Sequence, residues 1–434
     1  MKNIKTKLTA AVCVIIMTLS ASGCGTDINP DPIQKNDTVS SSSSVADSKA
    51  DPPESKPDSS DASGQDKDSS VSTEESSSQA DPNKPEPSYK VSLTCVGDNL
   101  IHDNIYLEAE RNSGQKGKYN FDHAYKPIES YVNGDINIIN QETIVTDVVP
   151  ARTYPCFATP KDNADKIKSL GFNVVSMCNN HVFDQGEAAL QDSLSYWSKL
   201  GILHYGAYAD QADCDNIKTM EVNGIKFAFV GYMEHTNGID LPDDAKAVVI
   251  RLKEEEKVKA QVQKADKMAD VVVVSCHYGT EISNELNDQQ KYITPKLVQW
   301  GADLIIGTQA HALSTCEYLD KPDGTKAFVY YGLGNFLNTM YDKNSVIGLM
   351  GKLDVVKDKN SGKISFENVK AIPLISHFEA TVFNSDWTNC QIIPYAKYTD
   401  EMFAKNFVRN DGFNRNYVNY ILNTYVPKEF LSIE

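Results

Sequence analysis

Residues able to hold a metal recur in this chain just after short apolar runs. Gly97-Asp98 follows residues 90–96 (KVSLTCV), and Asn140-Gln141-Glu142 follows 135–139 (DINII). Asn179-Asn180-His181 comes soon after 172–176 (FNVVS), and His277-Tyr278-Gly279 after 270–276 (DVVVVSC). Gln309 and His311 follow 303–307 (DLIIG). Carboxylates mixed with imidazoles suit Zn, Mn or Fe. Two such ions clamp a phosphoryl oxygen and activate water for attack on phosphorus. Each residue alone says little, because an Asp after a strand is usually a turn or a helix cap. A lone buried His is more often a satisfied core residue. The recurrence is what counts. Strands of an α/β sheet open at their carboxyl ends onto the crevice where ligands bind. Asp98, Glu142, Asn180, His277 and His311 are expected to meet there.

The elements that must position these residues are legible as a pattern. Further strand candidates lie at 217–222, 225–231, 327–332 and 346–356. Helical patterns cover 160–169, 186–199, 252–268 and 288–300. Short β-rich runs spaced by amphipathic helices predict α/β layering. Runs as continuously apolar as 270–276 predict sheets covered on both faces. Gly171, Gly201 and Gly301 each sit between a helix and a strand, where a left-handed helix end favours glycine. The charged segment 252–268 reads as a solvated helix. Residues 380–434 read as a polar extension rich in Tyr and Asn.

The amino terminus reads differently. Residues 1–7 carry Lys2, Lys5 and Lys7 and no acid, and residues 8–19 are apolar. A basic start, a short apolar run and small residues make a secretory signal. The run is too short to span a bilayer, which takes about 20 residues. Ala21-Ser22-Gly23-Cys24 resembles the bacterial lipobox, in which the cysteine is diacylated, although that motif prefers Leu where Ala21 stands. Two acyl chains anchor stably, whereas one is marginal. The expected location is the outer face of the cytoplasmic membrane, with Cys24 lipidated.

Residues 25–88 contain 17 Ser and no aromatic residue. Such a segment buries too little apolar surface to offset chain entropy, and is expected to be a disordered tether. Of the net charge of −17, residues 89–434 carry −11, the tether −9 and the leader +3. Phosphate backbones need clustered Lys and Arg, so nucleic acid is excluded as a partner. Seven cysteines remain beyond Cys24, an odd number with no CxxC pair, so no disulfide framework is expected.

The segments Gly97-Asp98-Asn99-Leu100-Ile101-His102, Asn140-Gln141-Glu142-Thr143, Asn179-Asn180-His181-x2-Asp184-x-Gly186, His277-Tyr278-Gly279-Thr280-Glu281 and Gly332-Leu333-Gly334-Asn335-Phe336 resemble, in order, those of the CapA proteins of bacterial capsule and poly-γ-glutamate synthesis. That family is itself similar to calcineurin-like metallophosphoesterases. The resemblance implies an α/β fold of two packed β-sheets flanked by helices, with a metal pair at one edge. It covers 89–375, so that with the readings above the chain divides into a lipoprotein signal at 1–24, a linker at 25–88, the CapA-like domain at 89–375 and an extension at 376–434. It assigns Asp98, Glu142, Asn180, His277, Gln309 and His311 to metal, and His181 to catalysis as general acid or transition-state donor. Two departures stand out. Leu100 occupies the His position of the superfamily's Asp-x-His, with His102 two residues on. Gln309 replaces one imidazole of GHxH, and an amide is the poorer ligand, which implies one weak metal position.

Smaller expectations follow. Glu281 is read as a hydrogen-bond acceptor orienting His277, and Tyr278 as packing. Asp184 and Gly186 are read as capping the helix near 186. The glycine-rich turn at 332–336 is read either as structural or as passing close to the site. Arg152 and Arg251 are candidates to meet an anionic substrate. Two functions compete, while a third, a plain binding protein for a surface ligand, is recommended by no motif. One is a metal-dependent hydrolase acting on an anionic extracellular polymer or a phosphoester. The other is a non-catalytic assembly factor holding polymer beside membrane synthase subunits.

Overall fold

The run Val271–Tyr278 reads VVVVSCHY, and every residue in it is buried. Alternate side chains leave a strand on opposite faces. Val271 and Val273 therefore join a core shared between two sheets, while Val272 and Val274 pack with Val258, Val262, Ile293 and Leu297. Those four belong to helices Glu255–Asp266 and Asp288–Gln299. The continuous apolar run is thus a strand covered on both faces, as the sequence predicts. Burying each such side chain stabilises the fold by about 1.5–3 kcal/mol.

The computed structural model describes residues 88–380 and 387–434, all within the compact unit Gln79–Glu434. The leader, Cys24 and the tether up to residue 87 lie outside the described residues. The first sheet contains β1 (Ser88–Asn99), β2 (Ile136–Gln141), β3 (Val174–Ser176) and β4 (Leu203–Tyr205). The second contains β6 (Lys218–Val222), β7 (Ile225–Met233), β9 (Val271–Tyr278), β10 (Leu304–Gln309), β11 (Cys316–Asp320) and β12 (Lys326–Tyr330), with a small pair, β5 (Ala207–Tyr208) and β8 (Val248–Val249), beside it in sequence. The chain then returns to the first sheet with β13 (Asn335–Leu337), β14 (Ile347–Asp358), β15 (Ile364–Glu379) and β16 (Thr388–Pro394).

The first sheet runs β16-β15-β14-β1-β2-β3-β4, and the second β11-β12-β10-β9-β7-β6. The pairs β1–β2, β2–β3 and β3–β4 are parallel, as are β7–β9 and β9–β10. Parallel strands place their carboxyl ends on one edge, and all the strand ends singled out above lie on these strands. This is the two-sheet α/β architecture that the resemblance implies. Helices Lys161–Ser169 and Gly186–Lys199 add Ala164, Ile167, Leu190 and Trp197 to the larger core cluster. Among the described residues, no helix is long and apolar enough to cross a membrane.

Two boundaries need correction. Ser88, the last residue of the expected linker, already opens β1. The division at 375/376 falls inside β15, and β16 pairs with β15 beyond it. The carboxyl-terminal stretch also returns, its Phe430 carbonyl accepting from Ala371 N–H of β15 at 2.7 Å. The end of β15, β16 and the bridge at Leu431 therefore complete the first sheet, and the expected extension is no appendage. The pattern hid this because Pro373 lies within β15, and proline counts against a central strand.

Candidate metal centre at the strand ends

Asp98 is the penultimate residue of β1 and is fully buried. Its position depends on a close approach of two backbones. A Cβ on Gly97 would lie 1.8 Å from the Gly334 carbonyl oxygen, so only glycine fits. Asp98 N–H donates to that same oxygen at 3.0 Å. The glycine-rich turn thus passes directly against the site, and its Asn335 places Oδ1 3.0 Å from His311 Nδ1.

Around Asp98 the expected residues converge. Asn140 Nδ2 donates to Asp98 Oδ1 at 2.6 Å, and Gln309 N–H donates to Oδ2 at 3.2 Å. His311 Nδ1 stands 3.3 Å from Asp98 Oδ2, and its Nε2 lies 3.7 Å from Glu142 Oε1. Asp98, Glu142 and His311 each offer a ligand atom within 4.8 Å of the others. His277 Nε2 is 3.6 Å from Glu142 Oε1 and 3.0 Å from Asn180 Oδ1. Its Nδ1 meets Thr308 Oγ1 at 2.8 Å. Asp98, Glu142, Asn180, His277 and His311 therefore share one buried cluster. Gln309 joins it through its backbone, while its Nε2 donates to Glu281 Oε1 at 3.3 Å.

The donor set fits a divalent cation on three observations. Both Glu142 oxygens are buried without a hydrogen-bond partner, as are Asn140 Oδ1 and Gln309 Oε1. An unpaired buried carboxylate is costly, and a cation removes that cost. Gln309 and His311 both hold positive φ, at 90° and 53°, which costs about 1–3 kcal/mol each and is a mark of functional sites. The charges are also arranged against one another. Burial pushes the Glu142 carboxyl up, but His311 and His277 outweigh it and hold it below the usual carboxylate range. Burial pulls His311 down, but Glu142 and Asp98 outweigh it and lift its imidazole above its ordinary value.

His181 stands at the edge of the cluster. Its Nδ1 lies 2.7 Å from Asp184 Oδ2, and Phe157 N–H donates to that same oxygen at 2.7 Å. This corrects the reading of Asp184 as a helix cap. The helix Gly186–Lys199 starts at Gln185 without a side-chain cap, and Asp184 instead orients His181. The reading of Glu281 is corrected too, since it accepts from Gln309 while Thr308 holds His277. Tyr278 packs as expected, fully buried with its hydroxyl 3.0 Å from Thr294 Oγ1. Neither Arg152 nor Arg251 lines the adjoining cavity, whose volume is about 390 Å³. His102, His181 and His311 do line it. A larger cavity of about 520 Å³, beside His204 and Lys218, contains none of the strand-end residues. Sequence reasoning missed Asn140 and Thr308 as supports and Phe157 as the wall of the site. Thr308 was adjacent to the chosen Gln309 and Asn140 two residues before Glu142, whereas Phe157 lies in a loop with no signal of its own.

Two packed sheets with carboxylates, imidazoles and amides gathered at parallel strand ends define an α/β protein built around a buried polar centre. The family described as "Bacterial capsule synthesis protein PGA_cap" matches residues 92–340, and the chain belongs to that family. It is 28% identical over 261 residues to the PGA biosynthesis protein CapA of Bacillus subtilis, covering 57% of this chain and 63% of that one. It is 24% identical over 258 residues to the capsule biosynthesis protein CapA of Bacillus anthracis, covering 57% and 60%. The chain thus spans about three fifths of the length of each relative. Among solved structures, NAD nucleotidase of Haemophilus influenzae aligns with a TM-score of 0.39 at 13% identity, over 80% of this chain and 58% of that one.

Proposed function

We propose that this chain is an exported lipoprotein, anchored through Cys24 to the outer face of the cytoplasmic membrane, whose folded part is a metal-dependent phosphoesterase-like centre serving capsule or poly-γ-glutamate synthesis. The observation that carries the metal is Glu142, a fully buried carboxylate with no hydrogen-bond donor to either oxygen. Asp98, Glu142 and His311 would hold one ion. Glu142, Asn180 and His277 would contribute to a second, weaker position. A divalent ion bound there, Mn, Zn or Fe, would polarise a phosphoryl oxygen and lower the pKa of water. The chain's own residues do the rest. Asp184 fixes Nδ1 of His181, leaving Nε2 to hold a proton for the leaving oxygen. Thr308 and Asn335 set the rings of His277 and His311.

A second reading, a non-catalytic factor guiding anionic polymer beside synthase subunits, is favoured by one feature. Gln309 replaces an imidazole, and its Nε2 is engaged by Glu281. The test is metal analysis of the purified full chain, with hydrolysis of bis(4-nitrophenyl) phosphate under added Mn²⁺. Bound metal and turnover, both lost in Asp98→Ala and His311→Ala, are expected. Metal without turnover selects the assembly role, and neither metal nor turnover ends the metal-centre reading. Palmitate labelling that persists in Cys24→Ser would refute the anchor.

A further inference from the structure

The cavity beside the cluster has an unusual charge for a site expected to meet an anion. Among the described residues, no lysine or arginine lines it. Two carboxylates do, Asp103 and Glu281. Any positive charge is confined to the imidazoles and to whatever ion the cluster holds. A ligand with several anionic groups would place most of them beside Asp103 and Glu281, with no lysine or arginine among the lining residues to meet them.

The other lining groups suit a different chemistry. His102 borders the cavity with Nδ1 3.1 Å from the Leu100 carbonyl and 3.3 Å from Thr339 N–H. Burial lowers its pKa to about 4, so the ring is neutral at physiological pH. A neutral imidazole presents either a lone pair or an N–H, and a hydroxyl answers both. It offers no charge to a carboxylate. Phe157 holds the rings of His102 and His181 edge-on, at 5.4 and 4.8 Å between centroids. Two tyrosines complete the rim. Tyr154 is 63% exposed, and Tyr341 is 47% exposed while stacked on Trp387 at 5.4 Å. Exposed aromatic faces beside carboxylates supply an apolar platform next to hydrogen-bond acceptors.

We infer that the group filling this cavity is an uncharged, hydroxyl-rich ring joined to a single phosphoryl, a sugar phosphoester, and not a run of the acidic polymer. The phosphoryl lies toward His311 and Glu142, and ring hydroxyls meet His102, Asp103 and Glu281, with Tyr154 and Tyr341 against the ring. This rests on the reading of the cluster as a phosphoryl-directed metal centre, and deepens it by naming the substrate class.

The test is calorimetric titration of the Mn²⁺-treated full chain with α-D-glucose 1-phosphate and, separately, with 3-phosphoglycerate, which carries a carboxylate. The sugar phosphate is expected to bind at least tenfold more tightly. Tyr341→Ala and His102→Phe should each erase most of that preference while leaving the affinity for methyl phosphate within twofold. Circular dichroism and Mn²⁺ content confirm that each variant is folded and loaded. Equal or tighter binding of 3-phosphoglycerate overturns the inference, as does a preference that survives both substitutions, or no binding of the sugar phosphate. Preferential binding without turnover upholds the inference and removes the hydrolytic function instead.

Discussion

Glu142 and His311 face each other at 3.7 Å, Oε1 to Nε2, inside a buried cluster where neither Glu142 oxygen receives a hydrogen bond. A carboxylate left so is held by charge alone. Glu142→Gln keeps the shape and removes the charge. Thr308→Val touches only the far nitrogen of His277. A residue that orients a ligand is worth about 10–100-fold in metal affinity, and a ligand itself should be worth more. Titration with Mn²⁺ should therefore rank Glu142→Gln as the more damaging of the two. Equal affinities in both variants and the parent chain would remove Glu142 from any metal centre.

Asp184 and His181 make a pair whose disruption should separate binding from chemistry. General acid groups contribute about 10²–10⁴-fold to rate. His181→Ala should lose turnover by a factor in that range, and Asp184→Asn should lose part of it, with Mn²⁺ content unchanged in both. If either variant loses its metal in proportion to its rate, the pair is structural.

His204 gives a pH dependence away from the site. It is buried, with Nε2 3.0 Å from Ser198 Oγ. Burial, helped by Lys218, lowers its pKa to about 4. The unfolded chain binds this proton at about 6.5. Between those values the unfolded state carries more protons, so stability falls as pH drops from 6.5 towards 4. The contribution is of order 3 kcal/mol at full effect. Urea melts of His204→Gln and the parent chain should diverge across that window, the variant losing less stability on acidification. Parallel curves would show that His204 titrates normally.

Gly97 and Gly114 differ in what surrounds them. A Cβ at Gly97 meets the Gly334 carbonyl at 1.8 Å, whereas at Gly114 nothing lies within 4 Å. Gly97→Ala must separate β1 from the turn that carries Asn335, at a cost of about 3 kcal/mol or more. Gly114→Ala meets only the left-handed backbone, φ 67°, worth about 1–2 kcal/mol. Thermal melts that reverse this order would show that the close approach is not maintained in solution.

The strand-end residues were legible because buried parallel strands leave a strong mark. A run such as VVVVSCH has few other readings, and the polar residue that ends it stands out. Helix Asp103–Ser113 left no such mark, since only Ile105, Glu108 and Ala109 are buried in it. Asp184 was misassigned for a related reason. Its position one residue before Gln185 suits capping, and only the folded chain brings Phe157 N–H and His181 to it.

The order of apolar runs and helices in the sequence determined the layered α/β fold, because burial pattern and backbone period are local properties of the chain. It also nominated Asp98, Glu142, Asn180, His277 and His311 for one centre. What tertiary structure alone decided was which atoms meet. Glu142 lies 135 residues from His277 in the chain, yet 3.6 Å from it in space. Distances of that kind depend on strand register and on the approach of Gly97 to Gly334, and neither is encoded within any one segment.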